Sequence, residues 1–290
     1  MLEFKDISKN YKAIKALKSV SFLIPENSIF GILGANGSGK STFMKILPGL
    51  IYNWTGEIYY REKLINQKDM LLKKDFGYLI ESPTFYEYLS ARKNLEMLAR
   101  ISKVNIDRIE YVLDLVNLKK RCDDKVHTYS YGMKQRLGIA QTLLHNPSVI
   151  ILDEPNNGLD PNGIDDMNQL IKKLKSEGKT ICLSTHNLKD VEQICTHFTI
   201  FKEGKNSVAT SMEEQFKNSN KWLISINNAA LAKTKIEESK VFKVIKILNQ
   251  SILIESKSTN TVNELNQILS GIEIYKISKE SNLIEYFKND

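Results

Sequence analysis

The chain has 290 residues, of which 42% are hydrophobic and 26% are charged, enough for two domains with a sizeable core. No apolar run reaches about 18 residues, so we expect no helical membrane span, and the first residues lack the apolar core of a signal peptide. The net charge of +7 suits a phosphorylated ligand or an anionic membrane surface, although a lysine-rich background explains it equally well. Without a cluster of basic and aromatic residues, nucleic acid is not favoured as a partner. The three cysteines are widely spaced and are expected to be reduced thiols of a cytosolic protein.

Residues 1–80 are predicted to be rich in strands, with one helix that ends near Pro48 and Gly49. Residues 90–145 are predicted to be helical, because apolar residues recur there at helical spacing. Residues 148–204 alternate between strand and helix, as parallel α/β sheets do.

The composition changes near residues 205–220, because every proline and arginine, and every glycine except Gly271, lies before residue 206. We therefore expect a first domain over residues 1–215 and a small α+β domain over residues 216–290, with a polar link at 217–220. The second domain fits a ferredoxin-like βαββαβ order, with the predicted elements strand 222–227, helix 229–239, strands 242–248 and 251–256, helix 261–270 and strand 272–278. A short amphipathic helix over 283–287 is expected to close the chain.

A glycine-rich run follows the apolar residues 29–33 and precedes a helical pattern. It reads Gly34, Ala35, Asn36, Gly37, Ser38, Gly39, Lys40, Ser41 and Thr42. This is the phosphate-loop pattern G-x-x-x-x-G-K-[ST] in the context that it needs. The glycines let backbone N–H groups surround a triphosphate, Lys40 supplies a charge for the β- and γ-phosphates, and Ser41 supplies a hydroxyl for Mg²⁺. A nucleoside triphosphate is therefore the expected ligand.

Two further strand ends carry candidate catalytic residues. The apolar residues 149–152 lead into Asp153 and Glu154, as a buried parallel strand does when its carboxyl end faces a ligand. Asp153 is then placed to hold Mg²⁺, directly or through water, and Glu154 to orient or deprotonate an attacking water. His186 follows the predicted strand 180–185 and could stabilise charge at the γ-phosphate. The alternatives are solvated acids and a structural histidine.

A second anion-binding helix end is predicted around Ser130 and Gly132. They lie in the segment 130–136, before a helix expected over 137–144. An ordinary helix cap at Ser130 is the alternative.

Taken together, residues 2–205 resemble the nucleotide-binding subunit of an ATP-binding cassette (ABC) transporter. The matching segments are the Walker A motif at 34–42, the signature at 129–133, the Walker B motif at 149–154, the D-loop at 158–160, which ends in Asp160, and the switch histidine His186. Tyr11 matches the aromatic residue that stacks on adenine. The resemblance implies an α/β P-loop NTPase fold: a RecA-like core with an antiparallel β subdomain and a helical subdomain over about 85–145.

The chain departs from the family pattern at two places. Tyr131 and Met133 replace the first glycine and the glutamine of the usual Leu-Ser-Gly-Gly-Gln signature, whereas Ser130 and Gly132 remain. Glu81 stands where most members have glutamine, and it offers a carboxylate oxygen to Mg²⁺. The signature variant resembles the one common in bacterial drug and peptide exporters. Glu81, with Ser82, Pro83, Phe85 and Tyr86 after it, resembles the subgroup of bacitracin resistance and lantibiotic self-immunity, with a neutral change of Gln to Glu as the alternative.

The resemblance implies ATP and Mg²⁺ as ligands, a second cassette as partner (most simply another copy of this chain), and an integral membrane permease. The subunit would be peripheral, at the cytoplasmic face of a bacterial membrane, and would export a peptide antibiotic or drug. The alternatives are an importer subunit, a soluble ABC ATPase of translation or DNA repair, and a regulatory module without catalysis. Soluble members usually carry two cassettes or a long coiled-coil insertion, neither of which is present, and the intact Lys40, Asp153, Glu154 and His186 disfavour the regulatory module.

Overall fold

The computed structural model of the chain describes residues 1–65, 74–256, 258 and 260–281. The helix expected over 283–287 lies outside these residues. The chain divides into two compact units, Met1–Thr210 and Ser211–Asp290, and each has its own hydrophobic core. Within the described ranges, no helix combines the length and apolar character needed to cross a membrane.

The first unit follows the predicted order of strand-rich, helical and alternating segments. Its elements are β1 (Leu2–Tyr11), β2 (Ile14–Ile24), β3 (Ile29–Gly34), α1 (Lys40–Ile46), β4 (Thr55–Tyr60), β5 (Lys63–Leu64), β6 (Phe76–Leu79), α2 (Ala91–Ile101), α3 (Asp107–Leu115), α4 (Tyr131–Leu143), β7 (Val149–Asp153), α5 (Pro161–Ser176), β8 (Thr180–Thr185), α6 (Leu188–Ile194), β9 (His197–Lys202) and β10 (Lys205–Asn206). A two-residue strand, β11 (Thr210–Ser211), spans the division between the units.

The first unit contains two sheets. An antiparallel sheet has the order β2-β1-β4-β5, and the core sheet runs β10-β9-β3-β8-β7-β6. In the core sheet, the strands from β9 to β6 are parallel, whereas β10 pairs antiparallel with β9. Because β8 lies between β3 and β7, the loops after these three strands meet at one edge of the sheet.

A cluster of phenylalanines fixes α1 against both sheets. Phe43 of α1 is fully buried, and its ring centroid lies 4.8 Å from that of Phe4 on β1 and 5.5 Å from that of Phe201 on β9. Phe22 on β2 and Phe30 on β3 stack on each other within the same cluster, with centroids 5.2 Å apart. Burial of these large apolar rings holds the start of α1 beside the end of β3.

The helical region differs from the prediction at the start of α4. The helix begins at Tyr131 and not at residue 137, so the expected boundary was wrong by six residues. Ser130 explains the difference, because its side chain accepts a hydrogen bond from the N–H of Met133 at 3.3 Å and caps the helix. The signature residues after Ser130 therefore form the first turn of α4.

The second unit is a four-stranded antiparallel sheet with helices. Its elements are α7 (Met212–Asn218), β12 (Lys221–Ile226), α8 (Ala229–Ser239), β13 (Lys243–Leu248), β14 (Ser251–Glu255), α9 (Thr261–Ile268) and β15 (Ile274–Lys279). The strand order β13-β14-β12-β15 is that of a βαββαβ sandwich. Ile236 of α8 and Leu265 of α9 pack in one core with Ile224, Ile252 and Ile254 of the sheet.

Helix α7 covers residues 217 and 218, the first half of the expected polar link. A capping box starts it: Ser211 Oγ accepts from the N–H of Glu214 at 3.1 Å, and Glu214 Oε2 accepts from the N–H of Ser211 at 3.4 Å. The polar residues at 217–220 led to the prediction of a link, and the capping box of Ser211 and Glu214, which marks the start of a helix, was overlooked.

Candidate functional site

The phosphate loop connects β3 to α1, and its glycines are required by backbone geometry. Gly37 and Gly39 have positive φ angles of 81° and 109°. A Cβ at Gly34 would lie 2.5 Å from the carbonyl oxygen of Phe201, and one at Gly39 would lie 2.8 Å from that of Ala16. The loop is thus packed against β2 and β9 on its inner side, which leaves its other side to a ligand.

Lys40 is a buried cation at the centre of this loop. Only 4% of its surface is exposed, and Nζ donates to the carbonyl oxygens of Gly34 at 2.7 Å and Ala35 at 3.1 Å. Glu154 Oε1 lies 3.8 Å from Nζ. Burial lowers the pKa of Lys40, and the charges of Glu154 and Asp153 oppose that effect. An anion beside Nζ would therefore stabilise the ammonium group.

Two observations show that the loop suits a phosphorylated ligand. A pocket of about 350 Å³ opens beside it and is lined by Lys40, Ser41 and Thr42 from the loop and by Lys15 and Lys18 from β2. The Oγ of Ser38 is buried without a hydrogen-bond partner among the described residues. Clustered cations and an unsatisfied hydroxyl both favour a ligand that is rich in oxygen atoms.

Asp153 and Glu154 lie at the end of β7, opposite Ser184 of the neighbouring β8. The fully buried Ser184 donates a hydrogen bond from Oγ to Asp153 Oδ1 and accepts one from the N–H of Glu154 at 3.0 Å. Burial raises the pKa of Asp153, whereas the hydrogen bond from Ser184 and the charge of Lys40 lower it. Ser184 thus holds the Asp153 carboxylate and the backbone at Glu154. Sequence reasoning missed it, although a serine directly after the apolar residues 181–183 of a strand was a usable signal.

His186 is brought to Glu154, as the strand ends predicted. Its Nδ1 lies 3.1 Å from Glu154 Oε2, within hydrogen-bonding distance. Hydrogen bonds also fix the loop after β8, which carries His186. Thr185 Oγ1 donates to the buried Asp190 at 2.9 Å and accepts from the N–H of Asn187 at 3.0 Å. Lys40, Glu154 and His186 therefore form one continuous polar group at the edge of the core sheet.

Glu81 follows β6 and pairs with a lysine that the sequence analysis had not singled out. Its Oε1 lies 2.6 Å from Nζ of Lys45 on α1, and its side chain is 67% exposed. The hydrogen bond and charge of Lys45 lower the pKa of Glu81. Glu81 is accordingly a carboxylate tied to the helix that follows the phosphate loop, and its role as a metal ligand stays a prediction.

Ser130, Gly132 and Asp160 do not line the pocket beside the phosphate loop. Ser130 caps α4, and Asp160 caps α5 by accepting from the N–H of Gly163 at 2.8 Å. A Cβ at Gly132 would lie 3.4 Å from Leu159, so the signature and the loop before α5 are adjacent within the chain. These predicted nucleotide contacts are thus separate from the polar group around Lys40.

Tyr11 ends β1 with its side chain 43% exposed. The ammonium group of Lys9 lies over one face of the Tyr11 ring, 4.9 Å from its centroid. The stacking of Tyr11 on the base stays a prediction from the sequence, whereas the contact with Lys9 is seen in the structure.

Comparison with known proteins decides the family. The family described as ABC transporter matches residues 17–157. The bacitracin transport ATP-binding protein BcrA of Bacillus licheniformis is 34% identical over 294 residues, which cover 99% of this chain and 96% of BcrA. The chain belongs to the ATP-binding subunits of ABC transporters. The lantibiotic transport ATP-binding protein SrtF of Streptococcus pyogenes is 38% identical over 205 residues, 71% of this chain and 88% of SrtF.

The solved structures agree with this assignment. The ATP-binding cassette MJ0796, determined as a dimer in a post-hydrolysis state with ADP and Pi, is 28% identical to this ABC ATPase. The two have a TM-score of 0.65 over 73% of this chain and 99% of that chain. The predicted cassette fold, the ATP-hydrolysing class and the resemblance to the bacitracin and lantibiotic subgroup are confirmed.

Substitution Ser184→Ala tests the geometry of the two acids in this ABC ATPase. It removes a hydrogen bond that lowers the pKa of Asp153, so that pKa rises further and protonation begins at higher pH. We expect the acid limb of the pH profile of ATP hydrolysis to move to higher pH, and kcat at neutral pH to fall about tenfold. The control is Ser176→Ala, which removes an exposed hydroxyl that donates to the Lys173 carbonyl oxygen on α5. An acid limb that stays in place would contradict this role of Ser184.

Proposed function

We propose that this chain is the ATPase subunit of a peptide-antibiotic exporter, working as a dimer on a separate membrane permease at the cytoplasmic face of the membrane. The observation that carries the proposal is the arrangement of Lys40, Glu154 and His186 at one sheet edge, with Ser130 and Asp160 outside that group. Such a chain holds two incomplete halves of a nucleotide site. Two copies facing each other head to tail would complete both.

Each residue of the polar group has a distinct role in this proposal. Lys40 exchanges the carbonyl oxygens of Gly34 and Ala35 for the β- and γ-phosphate oxygens of ATP. Glu154 orients or deprotonates the attacking water, and the hydrogen-bonding distance to His186 keeps its carboxylate in place. His186 also stabilises negative charge that develops on the γ-phosphate. Tyr11 stacks on the adenine base.

The oxygen donors near the loop fit Mg²⁺. Ser41 offers a hydroxyl and Asp153 a carboxylate, and Mg²⁺ bound with a nucleotide takes only one or two protein ligands. The described residues contain no group of three or more acidic, histidine or cysteine side chains suited to a metal, in keeping with a cation that arrives with ATP. When bound, Mg²⁺ supplies positive charge that offsets the phosphate oxygens.

The second half of the site consists of Ser130, Gly132 and Asp160. The N–H groups of the first turn of α4, beside the Ser130 cap, offer donors to a phosphate of the facing copy. The similarity to MJ0796, which was solved as a dimer, supports this arrangement. ATP would bridge the two copies, and its hydrolysis would separate them through repulsion between the products.

A surface for the permease follows from exposed apolar side chains near the site. Leu50, Tyr52, Tyr86 and Tyr88 are each more than half exposed, and neighbouring exposed apolar residues are typical of an interaction surface. Leu50 and Tyr52 lie in the segment after α1, and Tyr86 and Tyr88 in the segment that begins at Glu81. Lys45 contacts both segments, because its carbonyl oxygen accepts from the N–H of Leu50 at 3.0 Å and its Nζ pairs with Glu81. We assign these residues to contact with a cytoplasmic helix of the permease.

Export of a peptide antibiotic is supported by the two relatives whose names state their cargo class, BcrA for bacitracin and SrtF for lantibiotic transport. The match to BcrA extends over 99% of this chain and therefore includes the second unit. A role as a transport subunit of the same kind accounts for that coverage.

Two substitutions test the proposed ATP cycle. Glu154→Gln removes the base and should lower kcat at least about 100-fold while ATP still binds, so that the protein accumulates as an ATP-dependent dimer. Lys40→Ala removes charge-assisted hydrogen bonds to phosphate and should weaken ATP binding about 10- to 100-fold, so that no dimer forms. Light scattering coupled to size exclusion, with and without ATP, measures the dimer. Glu237→Gln, an exposed substitution in the second unit, is the control. Normal turnover by Glu154→Gln would show that Glu154 is not the base.

The role of Glu81 is tested by separating its carboxylate from its ion pair. Glu81→Gln removes both, whereas Lys45→Met removes the pair and keeps the carboxylate. If Glu81 serves Mg²⁺, the Mg²⁺ concentration for half-maximal ATP hydrolysis rises about tenfold in Glu81→Gln and stays unchanged or falls in Lys45→Met. The same rise in both variants would assign the effect to the ion pair and contradict the metal role.

A further inference from the structure

Lys9 occupies a position where the strand pattern calls for an apolar residue. Ile7, Lys9 and Tyr11 alternate along β1 and so project to the same face of the sheet. Ile7 is fully buried in the core, and Lys9 is only 8% exposed. Lysine is rarely buried to this extent without a partner, because the ammonium group loses its hydration.

The buried ammonium group has three partners, and none is an acid. Nζ donates to the carbonyl oxygen of Tyr52 at 2.6 Å and to that of Asn53 at 3.3 Å, and it lies 4.9 Å from the centroid of the Tyr11 ring. No carboxylate forms an ion pair with Lys9 within the part of the chain that the structure describes. Two carbonyl dipoles and the electron-rich face of an aromatic ring together stabilise the charge.

The carbonyl groups of Tyr52 and Asn53 fix the position of the Lys9 ammonium group. The segment 50–53 is bound to the end of α1, because the N–H groups of Leu50 and Ile51 both donate to the carbonyl oxygen of Lys45, at 3.0 and 3.2 Å. Helix α1 is in turn fixed by Phe43 in the aromatic cluster. The position of Lys9 Nζ is therefore set by the same helix that begins at the phosphate loop.

We propose that Lys9 is a positioning residue for nucleotide binding, because it holds the Tyr11 ring from one face and leaves the other for the adenine base. This inference rests on the proposed function, in which Tyr11 stacks on adenine. Tyr11 ends its strand with a partly exposed side chain and would otherwise sample several rotamers. A ring already held in place loses less conformational freedom when the base binds, so its affinity for the base is higher.

A lysine that only supports the fold would behave differently from a positioning residue. Loss of general structure near the phosphate loop weakens every ligand of that loop, with or without a base. Loss of ring positioning weakens only ligands that carry a base. ADP and inorganic tripolyphosphate, each with Mg²⁺, distinguish the two because both offer phosphates and only ADP has adenine.

The experiment measures the dissociation constants of both ligands by calorimetry for the full chain and its variants. We expect Lys9→Met to weaken ADP binding about fivefold and to leave tripolyphosphate binding unchanged, while Lys9→Arg, which keeps a cation, restores ADP binding. The control is Lys5→Met, since Lys5 also lies on β1 over an aromatic ring, 4.6 Å from the centroid of Tyr59, but near the strand start. Lys5→Met should bind both ligands as the unchanged chain does.

Tyr11→Ala separates failure of this inference from failure of the proposed function. If Tyr11→Ala weakens ADP binding and Lys9→Met does not, or if Lys9→Met weakens tripolyphosphate equally, Lys9 has no positioning role and the function of Tyr11 stands. If Tyr11→Ala binds ADP normally, the stacking role itself is wrong. Should Lys9→Met fail to fold, Lys9→Gln, which keeps a donor for the Tyr52 carbonyl oxygen but no charge, gives the same comparison.

Discussion

The position of β8 between β3 and β7 is the constraint on which the site depends. Parallel pairing places the carboxyl ends of the three strands together, so residues far apart in sequence meet without any long loop. Lys40 follows the first strand, Asp153 ends the second and His186 follows the third. Burial of the apolar faces of these strands offsets the free-energy cost of placing charged groups at the sheet edge. That cost is visible in the pKa of Lys40, which burial lowers, and in the pKa of Asp153, which burial raises.

That cost explains how the polar side chains are arranged. Lys40 is satisfied by carbonyl oxygens of its own loop and only loosely by Glu154, so it is free to turn to a phosphate. Ser184 donates a hydrogen bond to the Asp153 carboxylate and accepts one from the backbone N–H of Glu154, while His186 lies within hydrogen-bonding distance of the Glu154 carboxylate. These shared hydrogen bonds limit the freedom of Asp153 and of the backbone at Glu154 to rearrange, which suits a site that must place an attacking water.

Sequence reasoning located the phosphate loop, the acids and the histidine because their chemistry is tied to strand ends, which apolar runs reveal. It also predicted the helices and strands of the second unit closely, since alternation and helical spacing are clear there. It placed the start of α4 too late because Ser130 was weighed as an anion site and its capping of the helix was set aside. Lys45 and Lys9 were not predicted because their importance lies in contacts with distant segments, which periodicity does not encode.

The central claim is that ATP closure of this subunit is coupled to a membrane permease. The most direct measurement is purification of tagged Glu154→Gln protein with ATP from detergent-solubilised membranes of its own host, followed by mass spectrometry, with Lys40→Ala and Tyr88→Ala in parallel. The account predicts one polytopic membrane protein with Glu154→Gln, and its loss when Tyr88→Ala is added although the ATP-dependent dimer remains. Recovery with ribosomes or nucleic acid, and without a membrane protein, would contradict it.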